Sequence, residues 1–339
     1  MSVSNGASHR SDGERWFITG GCGFIGRNLI SLLLGQGVPL GSIRVYDNHS
    51  AGSLDDLKHV TQAAEEGADW GSGLIGVWQG DVRDALAVGR AMQGSTHVVH
   101  LAASTSVTRS VEDPLTDCQH NVLGVLTMLE QCRTHPVEAF VFASSSAPLG
   151  AAAQPITEET PPNPASPYGA SKLAGEGYCQ AYANCFDVPT SILRFGNVYG
   201  IHCNHTESVV ARFLLRALEG LPLEIYGDGT ATRDFVYVED LCEAIALAAR
   251  QARTHAGEIY QIATHRETTV NEIANILASV LKDQGVEGVT VNHAQTRVGD
   301  VQRNFSDVAK AKRDLGWEAR TSLQEGLSKT ADWFLQNSR

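Results

Sequence analysis

Thr19-Gly20-Gly21-Cys22-Gly23-Phe24-Ile25-Gly26 joins an apolar run, Arg15–Thr19, to a helical pattern, Phe24–Leu34. Its glycines fall at 20, 23 and 26. A turn this tight needs residues without Cβ so that the backbone can approach a pyrophosphate. The helix that opens there offers unpaired N–H groups and a partial positive charge. Glycines at this spacing mark many turns, so the context decides. Here they sit at the strand-to-helix junction of a first βαβ unit. Asp47 ends the next strand, Ser42–Asn48, where an acid accepts hydrogen bonds from the adenosine ribose and repels a 2′-phosphate. The pattern predicts a dinucleotide cradle that favours NAD over NADP.

Outward from this unit the alternation continues. Gly73–Gln79 reads as a strand, Ala85–Gln93 as a helix and His97–Ala102 as a strand. Asn121–Arg133 is predicted as a helix, with apolar residues at 122, 123, 125, 126 and 129, and Ala139–Ser144 as the strand after it. Repeated β-α-β units predict a doubly wound parallel sheet, an α/β Rossmann fold with a smaller α/β substrate-binding domain. Asp81, in Gly80-Asp81-Val82-Arg83-Asp84, has two readings of equal standing: a contact to the adenine, or the N-cap of a helix beginning near Arg83. After about Gly150 the texture changes. Gln154–Pro167 holds five prolines and reads as a surface loop. A helix follows from Tyr168, then the strand Thr190–Phe195.

Composition limits the function classes. The 26 Lys+Arg against 38 Asp+Glu leave a formal charge of −12, which supports neither a nucleic-acid platform nor an anionic-membrane binder. The 339 residues suit two domains or one large α/β domain. Seven cysteines at irregular intervals form no CxxC pair. They read as small buried thiols in a reducing cytoplasm. Residues 1–13 read as a disordered tail, without the apolar core of a signal peptide. His202-x-x-His205 lies in a loop without further ligands, so no metal is expected.

Tyr168 and Lys172 lie four residues apart in Ser166-Pro167-Tyr168-Gly169-Ala170-Ser171-Lys172, on one face of a helix. An ammonium there favours phenolate and lowers the tyrosine pKa toward neutrality. By itself such a pair is usually structural; downstream of a dinucleotide fingerprint it reads as a reacting centre. Ser144-Ser145-Ser146 end the preceding strand, where ligand-binding residues gather in open α/β sheets. They read otherwise as a hydrogen-bonded loop of small residues.

Taken together, Gly20-x-x-Gly23-x-x-Gly26, Asp47, Ser144–Ser146 and Tyr168-x-x-x-Lys172 resemble the extended short-chain dehydrogenase/reductases, specifically their UDP-glucose 4-epimerase-like nucleotide-sugar epimerases and dehydratases. Leu193–Gly200 (LRFGNVYG), Tyr226–Val238 (YGDGTATRDFVYV) and Arg297–Asp300 (RVGD) resemble the family's substrate-binding segments, so the likeness runs from about Arg15 to Trp333. The resemblance implies a cofactor site of Gly20, Gly23, Phe24, Ile25, Gly26, Asp47, Asn48, Asp81, Val82, Leu101, Ala102, Ala103, Asn121, Tyr168 and Lys172. It makes Tyr168 the general base, Lys172 the holder of the nicotinamide ribose, and Ser146 the partner of the reacting hydroxyl. Ser145, Ser146, Asn197, Arg233, Arg297, Asp300 and Asn304 would take a UDP-, dTDP- or GDP-linked sugar. On residues alone, Arg233 and Arg297 read equally as surface ion-pair partners.

The resemblance also separates chemistries. In the family's 4,6-dehydratases an Asp-Glu pair follows the Ser/Thr on this loop, and its decarboxylases typically carry a glutamate there. This chain has Ser146-Ala147, which favours 4-epimerisation through a 4-keto sugar. Dehydration, decarboxylation, 3,5-type epimerisation and a non-catalytic NAD-binding role stay open. Pro148-Leu149-Gly150 departs from the family's Val-Tyr-Gly and bears on the sugar pocket. Asn304 falls where relatives control room for an N-acetyl group, or is a solvated loop residue. Implied domains are 14–192 plus about 234–264 for NAD, and about 193–233 plus 265–335 for the sugar. A homodimer is implied through Asp117–Arg133 and Tyr168–Phe186.

Overall fold

The computed structural model describes residues 13–295 and 302–337. The segment read as a tail, up to residue 12, and Arg297 and Asp300 lie outside the described residues. Strands β1 (Trp16–Thr19), β2 (Ile43–Asp47), β3 (Ala64–Glu66), β4 (Ile75–Gln79), β5 (His97–His100), β6 (Ala139–Ser145) and β7 (Thr190–Phe195) are joined by Glu258–Ile262 in one eight-stranded sheet. Its order is Glu258–Ile262, β7, β6, β5, β1, β2, β4, β3, and every pairing is parallel.

Alternation along each strand feeds two cores. Ile18, Val45, Val99 and Val141 point to one face, under the helices Phe24–Gly35 and Val238–Gln251 with Leu29, Leu33, Leu241 and Ile245. Phe17, Tyr46, Val98, Phe140 and Phe142 point to the other, against Val88, Met128 and Cys179 of Ala85–Met92, Gly124–Thr134 and Pro167–Phe186. Covering both faces is what makes the strands near-continuous apolar runs. Each large side chain sealed in this way contributes about 1.5–3 kcal/mol.

The chain leaves β1 toward β2 on one side and reaches β5 on the other. A crevice therefore opens at the C-terminal ends of β1 and β5, the switch point of an open α/β sheet. A third apolar core, with Tyr199, Phe213, Leu214, Leu277, Leu327 and Phe334, lies outside the sheet. The division expected at residue 192 falls inside β7, which pairs with both neighbours through Phe195.

Several local expectations change. Asn121–Arg133 is not one regular helix: Pro114–Cys118 runs into a π turn at Gln119–Leu123 and then into Gly124–Thr134. Asp84, not Asp81, caps Ala85–Met92 by accepting from Ala87 N. Cys118 and Cys185 are exposed, while the other five cysteines are buried, and all seven are free thiols. The expected loop Gln154–Pro167 ends one residue early, since Pro167 already opens a helix, and it is stitched to a distant strip. Ile156 N donates to Phe305 O at 2.9 Å, and Asp307 N donates to Ile156 O at 2.7 Å. Phe305 N also donates to Gln154 Oε1 at 2.8 Å. No described helix is long and apolar enough to cross a membrane.

At the end of β5, His100 is buried between layers, with Phe140 and Phe142 stacked on it. Ala102 N donates to Thr19 Oγ1, so the threonine hydroxyl is free to donate to His100 Nδ1, 2.8 Å away. Burial, reinforced by the Lys172 charge, holds the His100 pKa down to about 3 from 6.5. Below pH 6.5 the unfolded chain gains a proton that His100 refuses. Stability is thus full above that pH and falls as pH drops toward 3, by about 1.4 kcal/mol per pH unit for this one group. Thermal melts from pH 7 to 4.5 are expected to show a falling Tm, with a shallower slope in His100→Gln; equal slopes would refute this.

Candidate active site

The cradle takes its shape from close backbone contacts. Gly20 has φ +70°, and a Cβ there would lie 2.9 Å from Ala102 N. A Cβ on Gly26 would come within 2.5 Å of Gly20 O and Gly21 Cα. Neither position admits a side chain without displacing main chain. Gly23 is the N-cap of Phe24–Gly35 and supplies no side-chain cap, which leaves first-turn N–H groups for an anion. Asp47 closes the far side: its Oδ2 accepts from Cys22 N at 3.0 Å and its Oδ1 from His49 N at 2.8 Å. Burial raises its pKa, and those N–H groups pull it back. These features fit a dinucleotide: bare N–H groups for the pyrophosphate, and a carboxylate at the end of β2 for the ribose.

The other predicted cofactor residues divide. Phe24 and Ile25 open the helix, and Leu101, Ala102 and Ala103 leave β5, all half-buried around the crevice. Asn48 is exposed, and its Oδ1 accepts from Ser50 N. Val82 is half-buried. Asp81 binds Arg83 through both oxygens, at 2.9 and 2.6 Å, and that bond holds its carboxyl below the usual range. The Asn121 amide is committed within the protein. It exchanges bonds with Ser104 N and O and donates to Asp117 Oδ1 and Ser171 Oγ. Asn121 is therefore a strut beneath the crevice.

The side chains expected to react converge at the C-terminal end of β6. The helix Pro167–Phe186 starts with Ser166 as N-cap and Pro167 in its first turn. It carries Tyr168 and Lys172 on its buried side. Lys172 Nζ donates to Ala143 O at 2.8 Å and lies 6.0 Å from the centre of the Tyr168 ring. Burial pushes Lys172 down to about 8, opposed by Asp117 and Glu176. The expected lowering of Tyr168 is reversed. Burial pushes the phenol up to about 12, a hydrogen bond with Ser145 lowers it in part, and Asp117 raises it further. The lysine does not offset the dry surroundings of the phenol.

Ser146 and Asn304 meet: Asn304 Nδ2 donates to Ser146 Oγ at 3.3 Å. This replaces the solvated-loop reading of Asn304 with a position against the reacting centre. Ser145 Oγ accepts from Ala147 N. Ser144 turns inward and donates to Glu176 Oε1 at 2.5 Å. Glu176 also grips Arg194 through both oxygens, at 2.9 and 2.7 Å. Sequence reasoning missed this buried group, although Glu176 sits four residues after Lys172 on the same stripe. Asn197 is exposed, with its N–H donating to Asp234 O. Arg233 is half-buried and donates to Thr232 O.

With this geometry in view, the family described as GDP-mannose 4,6 dehydratase matches residues 17–330. The chain belongs to it. This family comprises NAD-dependent extended short-chain dehydrogenase/reductases that modify nucleotide sugars, both epimerases and dehydratases. The UDP-glucose 4-epimerase of Mycolicibacterium smegmatis is 34% identical over 336 residues, covering 96% of this chain and 100% of that protein. Among solved structures, the UDP-glucose 4-epimerase of Thermus thermophilus, in complex with NAD, has TM-score 0.81 and 35% identity, covering 95% and 99% of the two chains. The dTDP-glucose 4,6-dehydratase DesIV of Streptomyces venezuelae, also with NAD bound, has TM-score 0.84 and 32% identity, covering 95% and 97%. Both chemistries of the family are thus represented at similar distance.

Gly26→Ala is expected to destroy the cradle, because its Cβ would strike backbone. The purified parent should release NAD on denaturation and the variant none. Full retention of NAD in the variant would refute the cradle.

Proposed function

We propose that this chain is an NAD-dependent NDP-sugar 4-epimerase. One observation carries the reading. The segment after Ser146 runs through half-buried Ala147 and buried Pro148 and Leu149. It offers no carboxylate until Glu158, whose Oε1 accepts from Gln261 N at 2.8 Å. Elimination of water needs an acid and a base beside the sugar, and this loop supplies neither.

The remaining side chains suit a reversible oxidation at C4. Ser146, steadied by Asn304, would hydrogen-bond the C4 hydroxyl, and Tyr168 would take its proton. Lys172 keeps two N–H groups beyond Ala143 O for the nicotinamide ribose. NAD, when bound, supplies the hydride acceptor and donor and a cationic ring that favours the phenolate. Asp47 supports NAD over NADP, since its buried carboxylate opposes a 2′-phosphate. The 4-keto sugar would then turn over and be reduced on its opposite face. Asn197, Arg233, Arg297 and Asp300 would hold the UDP, dTDP or GDP moiety, with guanidiniums matched to phosphate oxygens. The sugar would lie between an NAD-binding body, from about 14 to the end of β7 at Phe195 plus about 234–264, and a substrate body of about 196–233 plus 265–335. Small Asn304 supports tolerance of N-acetylhexosamines. Free thiols support a reducing compartment such as the cytoplasm.

Dehydration is the second reading, favoured by the dehydratase relatives. A panel of UDP-, dTDP- and GDP-sugars separates the two. C4 epimers of unchanged mass are expected; a product lighter by water would identify a dehydratase instead. Tyr168→Phe should lower kcat by about 10²–10⁴-fold, and full activity would remove Tyr168 as base.

A homodimer is the assembly we infer. Val111, Leu115, Leu123, Tyr178 and Phe186 are exposed on helices that pack on one another, and such apolar exposure suits an interface. Leu115→Asp combined with Leu123→Asp should sediment as a monomer, where the parent sediments as a dimer.

A further inference from the structure

Asp117 lies in the helix Pro114–Cys118, one turn before Asn121, and is only 3% exposed. Its pairing is sparse for a buried carboxylate. Oδ1 accepts from Asn121 Nδ2 at 2.9 Å, while Oδ2 has no hydrogen-bond partner among the described residues. Buried charges are ordinarily paired, because leaving one bare is costly. The helix packs against Pro167–Phe186, and bonds join the two: Asn121 Nδ2 donates to Ser171 Oγ at 3.2 Å, and Ser171 Oγ donates to Tyr168 O at 2.9 Å. Glu176, the other acid beside Lys172, is neutralised by Arg194. Asp117 is therefore the acid behind the reacting pair that has no ion-pair partner among the described residues, and one of its oxygens is open.

We propose that Asp117 is a positioning residue for the Tyr168–Lys172 pair: buried and held by Asn121, which bonds through Ser171 to the Tyr168 backbone, it sets the pH range in which Tyr168 exchanges a proton with the substrate hydroxyl. The inference rests on the reading of Tyr168 as general base. Asp117 acts on both groups in the same sense, raising Lys172 and raising Tyr168. The other titratable groups at the pair are Glu176, Cys179 and His100. Helices Val107–Glu112 and Gly124–Thr134 pack on the same helix. They carry Arg109, Glu112 and Arg133 toward solvent, while Glu130 pairs with Arg133 and accepts from Tyr182 of that helix, and buried Cys132 lies near Cys179; His120 of the π turn lies near Asp81.

The test uses Asp117→Asn, which removes the charge and keeps the shape, and Asp117→Glu, which keeps the charge. Two readouts are taken: the pH dependence of kcat, and an ultraviolet difference titration of the NAD-loaded protein, with Tyr168→Phe subtracted to isolate one phenolate. In Asp117→Asn the acid limb, the alkaline limb and the phenolate transition should all move to lower pH by about one unit. Activity would rise at the acid end and fall at the alkaline end. Asp117→Glu should keep wild-type midpoints. Unmoved midpoints in Asp117→Asn, or an equal shift in Asp117→Glu, would overturn the proposal. If Asp117→Asn does not fold, Asp117→Ser is titrated the same way. If no sugar turns over in the parent protein, the epimerase reading fails, while the phenolate titration still decides the role of Asp117.

Discussion

A parallel sheet covered on both faces can meet a small molecule only at its strand ends. Here both sides are sealed, one by Phe24–Gly35 and Val238–Gln251, the other by Ala85–Met92, Gly124–Thr134 and Pro167–Phe186. The polar chemistry that matters sits where strands finish: Thr19, Asp47, His100 and Ser144–Ser146. The order reversal between β1 and β5 parts the loops above those ends. The glycine cradle, Asp47 and Ser146 then gather at one crevice as a consequence of topology.

The same burial shapes the electrostatics. Lys172 and Tyr168 are nearly dry, so each is driven toward its neutral form, and water does little to blunt a neighbouring charge. Glu176 and Arg194 form a closed pair that anchors the helix to β7 without leaving a net charge. What remains to tune the phenol is the set of groups that are not closed. The loop after Ser146 is a separate matter: there Ala147 stands, and no carboxylate follows before Glu158.

Much of the fold was legible. Glycine spacing at 20, 23 and 26, followed by Asp47, specifies the first βαβ unit because each position answers a backbone need that few residues meet. The later strands follow from apolar runs. Two kinds of feature were hidden. The π turn at Gln119–Leu123 has no spacing signature, since the apolar pattern around it fits an ordinary helix. Contacts between residues far apart in sequence, such as Asn304 with Ser146 across 158 positions, depend on how the third core docks. The pKa of Tyr168 is hidden for a related reason. Spacing reveals a lysine one turn away, but not the desolvation that outweighs it. Asp117 and Glu176, each four residues from a recognised group, were visible as neighbours and unreadable as partners.

The stitch between Gln154–Ile156 and Phe305–Asp307 bears on how such a site can diversify. One strip continues from Ser146 and the other from Asn304, so the stretches that bring these two side chains together are cross-linked by main chain. An insertion in either strip alone would slide the serine against the amide and spoil both. Exchanging this region with a relative's therefore requires moving the two strips together, as a single cassette drawn from separate parts of the chain.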